Sequence, residues 1–431
     1  MDQPLKLNCA EYQSLARSLQ DRDPASVIPV IAGLLTVPAY HPETVRIELL
    51  LHLACLHCCG RRKITTADLR RWLGRDLANL PVASLEDPPE DVFISNVIAP
   101  GGNYRIFEGR WESADYYLQH ALDCVVRSHW AKPFKDLRRN VQGILALSDS
   151  VAGRAGVDRW TESPEAVPEA KFLRSSPGIS ELARRVTFSP SELAALGIEP
   201  ASLEPFLLQP ADVRRLHDET VGHTTLERYP LIRFGDLLVC GCPTAISPAI
   251  RRYLLDSMAD HGRLEEFAQV LRLRQASAVF EEILPQIDLP TGEWEGTVPA
   301  PDRTLMHPAD VAIVPIDRDK LAYVVLLHDD LSTVREHGFS AMLPPDIELG
   351  EHLAREASRL KNLGYNGLVL VVWAGLGRGH ALALPEFPAG WKVGALGLPD
   401  LDFSRELKVP RFYGCGSYLR IAMKLRHRVS V

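Results

Sequence analysis

The chain lacks a paired cysteine framework, a long apolar run and an excess of positive charge, and each absence excludes something. Eight cysteines are scattered through 431 residues, which points to thiols in a reducing cytoplasm rather than to a disulfide framework. The longest apolar stretches are Leu49–Leu51 running into Cys55–Cys59, and Gly367–Gly375. Both fall far short of the roughly 20 residues a membrane helix needs, so no membrane partner is expected. The opening Met1-Asp2-Gln3-Pro4-Leu5-Lys6 puts no apolar run behind a basic start, so no secretory leader is expected. No repeat of solenoid period recurs. With 48 Lys+Arg against 55 Asp+Glu, the net charge is −7. That argues against a chain coated in nucleic acid and leaves room for a local basic patch.

What remains is an ordinary globular composition, 46 % hydrophobic and 24 % charged. Collagenous, low-complexity and wholly disordered chains are thereby excluded. The length exceeds one typical core, so two or three domains are expected. Three segments stand out. Residues 1–150 read as mainly helical, with apolar residues at helical spacing through Tyr12, Leu15 and Leu19, through Val27–Leu35, and over Glu43–Cys59. Thr65-Thr66-Ala67-Asp68 is a capped start for a helix carrying Leu69, Trp72 and Leu73. Asn103–Phe107 reads as a strand after the Gly101-Gly102 turn, and Ala114–Val126 as a helix. Residues 151–260 form a linker and mixed segment. It opens with a loop-rich passage to about 180 and contains a hairpin about Gly235-Asp236 and a helix from Ala245 to Met258.

The third segment, 261–431, has the clearest pattern. An amphipathic helix runs from Leu264 to Ile283. Strands Val311–Val314 and Tyr323–Leu327 flank the Asp317-Arg318-Asp319 turn. A helix over Leu349–Leu363 leads to the strand Leu368–Trp373. A strand that apolar belongs inside a sheet covered by helices on both faces. The order helix, strand, strand, helix, strand over about residues 264–375 resembles the core of restriction-endonuclease-like, PD-(D/E)XK, nucleases. The expected fold class is therefore α+β and multidomain: a helical N-terminal domain, a mixed segment, and a restriction-endonuclease-like α/β C-terminal domain.

The resemblance implies a Glu on the first helix, an Asp heading one strand and a Glu-x-Lys triplet on the next. The carboxylates would hold Mg²⁺ against a phosphate, and the Lys would handle the attacking water. Glu281 or Glu282 matches the helix acid, and Asp310 the strand Asp and metal ligand. On Val324–His328 the triplet is degenerate, with Leu326 for Glu and His328 for Lys. Asp329 and Asp330 follow directly, either as substitute ligands or as polar residues ending the strand.

Other residues have two readings each. His52, Cys55 and Cys59 share a helix face, with Cys58 nearby, as a zinc half-site or as part of the core. Cys240-Gly241-Cys242 has no second half. Arg61, Arg62, Lys63, Arg70, Arg71 and Arg75 surround the helix after Thr65, with the strand near Tyr104–Phe107 as the wing of a winged-helix-like unit. They are a phosphate-contacting surface or a solvated face. The aromatics Tyr104, Phe107, Trp111, Tyr116 and Tyr117 either stack bases or fill a core. Residues 405–431 carry seven Lys and Arg, among them Arg420, Lys424, Arg426 and Arg428, against one Glu. That +6 suits a phosphate backbone or an acidic partner.

The preferred expectation is a non-catalytic, nucleic-acid-associated or scaffold subunit of a bacterial cytoplasm, with no cofactor, acting with DNA or RNA or with a partner protein. The resemblance implies settings such as phage defence, DNA repair or mobile-element control. The alternatives are an active Mg²⁺-dependent nuclease with a rearranged site, and an interaction adaptor that never touches nucleic acid.

Overall fold

The computed structural model describes residues 10–76, 93–99, 101–109, 114–127, 131–158, 176–209, 225–286, 297–301, 310–317, 319–337, 347–374, 386–398 and 401. The architecture is α+β, in two compact units, Met1–Gly262 and Arg263–Val431. Among the described residues no helix is long and apolar enough to cross a membrane.

Unit 1 begins with helices α1 (Ala10–Gln20), α2 (Pro24–Leu34), α3 (Thr44–His57) and α4 (Thr66–Arg71), the last continued by a π-turn over Trp72–Asp76. A hairpin of β1 (Ile94–Ala99) and β2 (Gly102–Phe107) precedes α5 (Ala114–Arg127) and α6 (Ala131–Ala155). Then come α7 (Ser176–Val186), β3 (Thr187–Phe188), α8 (Pro190–Ala195), α9 (Pro200–Leu203) and α10 (Thr225–Arg228). The hairpin of β4 (Leu231–Phe234) and β5 (Leu237–Cys240) turns at Gly235, whose φ of 58° suits glycine, and α11 (Ile246–Asp260) ends the unit. Residues on both sides of the loop-rich passage share one core: Leu15, Ile31, Leu50 and Trp72 cluster with Leu182, Leu226 and Ile232. At Gly33 of α2 a Cβ would overlap the Leu182 carbonyl of α7. Among the described residues, the β1–β2 hairpin makes no side-chain hydrogen bond to α4, the helix it would serve as a wing. Its side-chain bonds go to α5, α6 and the residues just after α6: Gln119 brackets the Ile98 backbone at 2.8 and 2.9 Å, and Arg105 pairs with Asp149 at 2.7 Å and donates to the Val157 carbonyl at 3.1 Å.

Unit 2 opens with α12 (Leu264–Ser277), which widens into a π-turn over Ala278–Ile283 instead of running on as one α-helix. A four-stranded sheet follows in the order β6 (Val311–Asp317), β7 (Lys320–Leu327), β8 (Asn366–Trp373), β9 (Trp391–Gly397). The β6–β7 pair is antiparallel, with a bulge between Pro315 and Asp317; β7–β8 and β8–β9 are parallel. Helices α13 (Leu331–His337) and α14 (Ile347–Asn362) make the β7-to-β8 crossover. Leu368–Trp373 is buried along its whole length, as its composition requires of a central strand. One face of the sheet, through Leu321, Tyr323, Val325, Val369 and Val371, packs on Leu349, Leu353, Ala357 and Leu360 of α14. Alternation along β7 then turns Ala322, Val324, Leu326 and His328 to the opposite face.

Candidate functional site

On that opposite face four polar side chains meet. Extending the β6–β7 register one residue beyond Val311↔Val325 puts Asp310 across from Leu326 and diagonal to His328. Arg272 and Gln275 reach them from the last turns of α12. Phe267, Leu271 and Gln275 form one buried stripe of that helix, so Gln275 enters the interior on an otherwise apolar face. The Asp310 side chain is enclosed. Its Oδ2 accepts from Arg272 Nε at 2.7 Å and from Nη2 of the same guanidinium. Its Oδ1 accepts from His328 Nε2 at 3.1 Å. On the far side of the imidazole, Nδ1 lies 2.9 Å from Gln275 Oε1, and the Gln275 amide donates to the Ala374 carbonyl at 2.9 Å.

This geometry assigns protons. The Ala374 carbonyl only accepts, so the Gln275 amide oxygen must face His328, and Nδ1 must donate to it. On its other side the ring meets Asp310 through Nε2, so both ring nitrogens are engaged within the protein. Burial alone pushes the Asp310 carboxyl up. The bonds from His328 and Arg272, with their charges, outweigh it and hold the group below the usual carboxylate range. Both carboxylate oxygens and both imidazole nitrogens are thus spent inside the protein. A hard divalent cation wants six or more oxygen ligands. Here one saturated carboxylate stands across from the buried, apolar Leu326, and that donor set does not fit one.

The remaining acids lie apart from this network. Glu281 and Glu282 sit exposed on the π-turn, where Ser277 Oγ donates to Glu281 at 2.6 Å and Arg274 pairs with Glu282 at 2.9 Å. Asp330 caps α13, accepting from Ser332 N at 3.0 Å and Thr333 Oγ1 at 2.7 Å. Asp329 lies in the short link between β7 and α13. Among the described residues no group of three or more His, Cys, Asp or Glu is arranged to hold a metal. Arg272 and Gln275 escape a motif search because the restriction-endonuclease-like pattern asks for an acid on that helix. The readable signal was a glutamine on the buried stripe.

In unit 1, burial pushes the Cys55, Cys58 and Cys240 thiols up to about 12 and raises Cys242 well above the ordinary thiol range. They behave as small apolar side chains, and Cys55 packs on the same core that contains Cys58. Phe107 is in the interior, edge-on to Phe93 at 5.5 Å. Nothing is described of Trp111 or of the Tyr116 and Tyr117 side chains. Arg61, Arg62, Lys63, Arg70, Arg71 and Arg75 are all exposed around α4. Arg420, Lys424, Arg426 and Arg428 lie outside the described residues.

No curated protein and no solved structure matches the chain significantly. A family of anti-phage proteins does, over nearly the full length: residues 2–406 match the family described as "Anti-phage protein Upx-like", and the chain belongs to it.

Proposed function

We propose that within phage defence this chain acts as a non-catalytic, nucleic-acid-associated component. In this reading its C-terminal unit is a restriction-endonuclease-like module whose site is neutralised from within. The observation that carries it is the closed circuit Arg272–Asp310–His328–Gln275–Ala374. Asp310 stands at the head of a strand paired antiparallel to its neighbour, where the resemblance puts the metal-binding Asp. Where a nuclease keeps carboxylates and a lysine open to metal and water, this chain places Leu326 and His328 and closes the circuit with Arg272. His328 has no nitrogen left to take a proton from water, so a general-base role would require dismantling the network.

The test is nicking of supercoiled plasmid by the full chain with Mg²⁺ or Mn²⁺, comparing wild type with Asp310→Ala. The expected result is no metal-dependent cleavage by either. Cleavage by wild type that Asp310→Ala abolishes would establish the active-nuclease alternative, with Arg272 as a displaceable occupant of the metal position.

A further inference from the structure

We propose that the exposed face of α4, with the loop 58–65 before it, is a preorganised platform for the phosphate backbone of duplex nucleic acid. The proposal rests on the nucleic-acid part of the reading above but uses a different surface, in unit 1. Four of its cations, Arg61, Lys63, Arg70 and Arg75, are exposed and have no carboxylate partner among the described residues. The two flanking ones are partly committed: Arg62 to Asp21 at 2.9 Å and Arg71 to Asp76 at 3.3 Å.

The mounting distinguishes this face from a merely solvated one. The loop backbone is stitched to the α1–α2 link. Gly60 N donates to Arg22 O at 2.9 Å, Arg62 N to Asp21 O at 3.0 Å, and Asp23 N to Arg62 O at 2.8 Å. A Cβ on Gly60 would overlap the Asp21 backbone, so the strands of chain meet at van der Waals limits there. Beneath them the buried Arg22 donates to the Lys63 carbonyl at 3.2 Å and to Asp68 Oδ1 at 2.8 Å. Asp68 in turn closes a capping box with Thr65, which fixes the first turn of α4. A solubilising face needs none of this. A backbone reader gains by it, because the ordering cost is met in folding and not in binding.

The chemistry selects phosphate over bases and over a protein partner. Arginine predominates, and its planar fork matches phosphate oxygens. Trp72, the aromatic of this segment, is buried with Nε1 donating to Ser18 Oγ at 2.9 Å, so it cannot stack a base. Among the described residues, no exposed aromatic or large aliphatic side chain stands among the cations to anchor a protein interface. Contacts to phosphate alone position a duplex without reading its sequence.

The experiment is fluorescence anisotropy of the full chain with two unrelated duplexes of about 20 bp over about 50 to 250 mM NaCl. Each neutralised phosphate contributes about −0.9 to the slope of log K against log salt. The triple variant Arg61→Gln/Arg70→Gln/Arg75→Gln is therefore expected to flatten the slope by about 2.7, equally for both sequences, with thermal unfolding unchanged. A wild-type slope in the triple variant would overturn the platform and leave nucleic-acid association standing elsewhere on the chain. A large preference between the two duplexes that the variant erases would overturn phosphate readout. Polyglutamate bound as tightly as DNA, and lost in the same variant, would make this an acidic-protein surface. Absence of duplex binding at the lowest salt would overturn both the platform and the association.

Discussion

Replacing Arg272 by methionine isolates the interaction on which the C-terminal site depends. The substitution keeps most of the aliphatic stem and removes the guanidinium, leaving the enclosed Asp310 carboxylate with His328 as its remaining side-chain hydrogen-bond partner. Removing one partner of a buried pair typically costs about 3–5 kcal/mol, because the other charge stays uncompensated. The Arg272 side chain is 39 % exposed and Asp310 1 %, so the penalty falls mainly on the carboxylate and the low end, about 3 kcal/mol, applies. For a unit spanning residues 263–431 that lowers Tm by about 6–12 °C. Calorimetry at pH 7 reads the shift, and hydrogen exchange over β6 and β7 locates it. Acid changes the comparison in a defined direction. A carboxyl held below its ordinary range stabilises the fold above about pH 4, and this contribution is lost as pH falls through its depressed folded value. The gap between wild type and variant should therefore be full at neutral pH and narrow below about pH 4. A shift under about 2 °C at pH 7, or a gap that does not narrow in acid, would refute the reasoning.

Gln275→Leu strips the acceptor from His328 Nδ1 and the donor from the Ala374 carbonyl, and should destabilise unit 2 by about 2–4 kcal/mol in chemical denaturation. Asp68→Ala removes the Asp68 half of the α4 capping box and the buried carboxylate partner of Arg22. It should cost about 3–5 kcal/mol and expose the 58–65 amides to exchange, whereas unchanged protection would show that the loop is not mounted through Asp68. Alkylation at pH 8 should modify the exposed Cys59 well before Cys55 and Cys58, whose burial leaves almost no thiolate. Equal labelling of all three would contradict the core assignment.

Most of unit 2 was legible because its elements are apolar in distinct periods. The strands at 311–314, 323–327 and 368–373 and the helix at 349–363 were readable from alternation, apolar runs and amphipathic spacing, and each is present with ends shifted by a few residues. Strand β9 was not readable, because Trp391–Gly397 contains two glycines and follows a proline-rich stretch. Asp310 and His328 were legible as members of one site through the nuclease-like motif, and strand register places them on one face. Arg272 and Gln275 were not, because their role follows from where α12 lies on the sheet, which no local pattern encodes. In unit 1 the helices around Leu15, Ile31 and Leu50 were evident. That α7 and the β4–β5 hairpin close the same core was not, because a loop-rich passage reads locally as a boundary whichever way the chain returns.

The central claim is that Asp310 serves structure and not chemistry. Plating of phage on cells expressing the charge-neutral swap Arg272→Gln/Asp310→Asn tests it most directly. Both side chains can still hydrogen-bond, but neither can serve as a metal-ligating carboxylate or its counter-ion. The account predicts protection equal to wild type wherever the swap melts at the wild-type temperature. Loss of protection in a swap that folds and accumulates normally would contradict it.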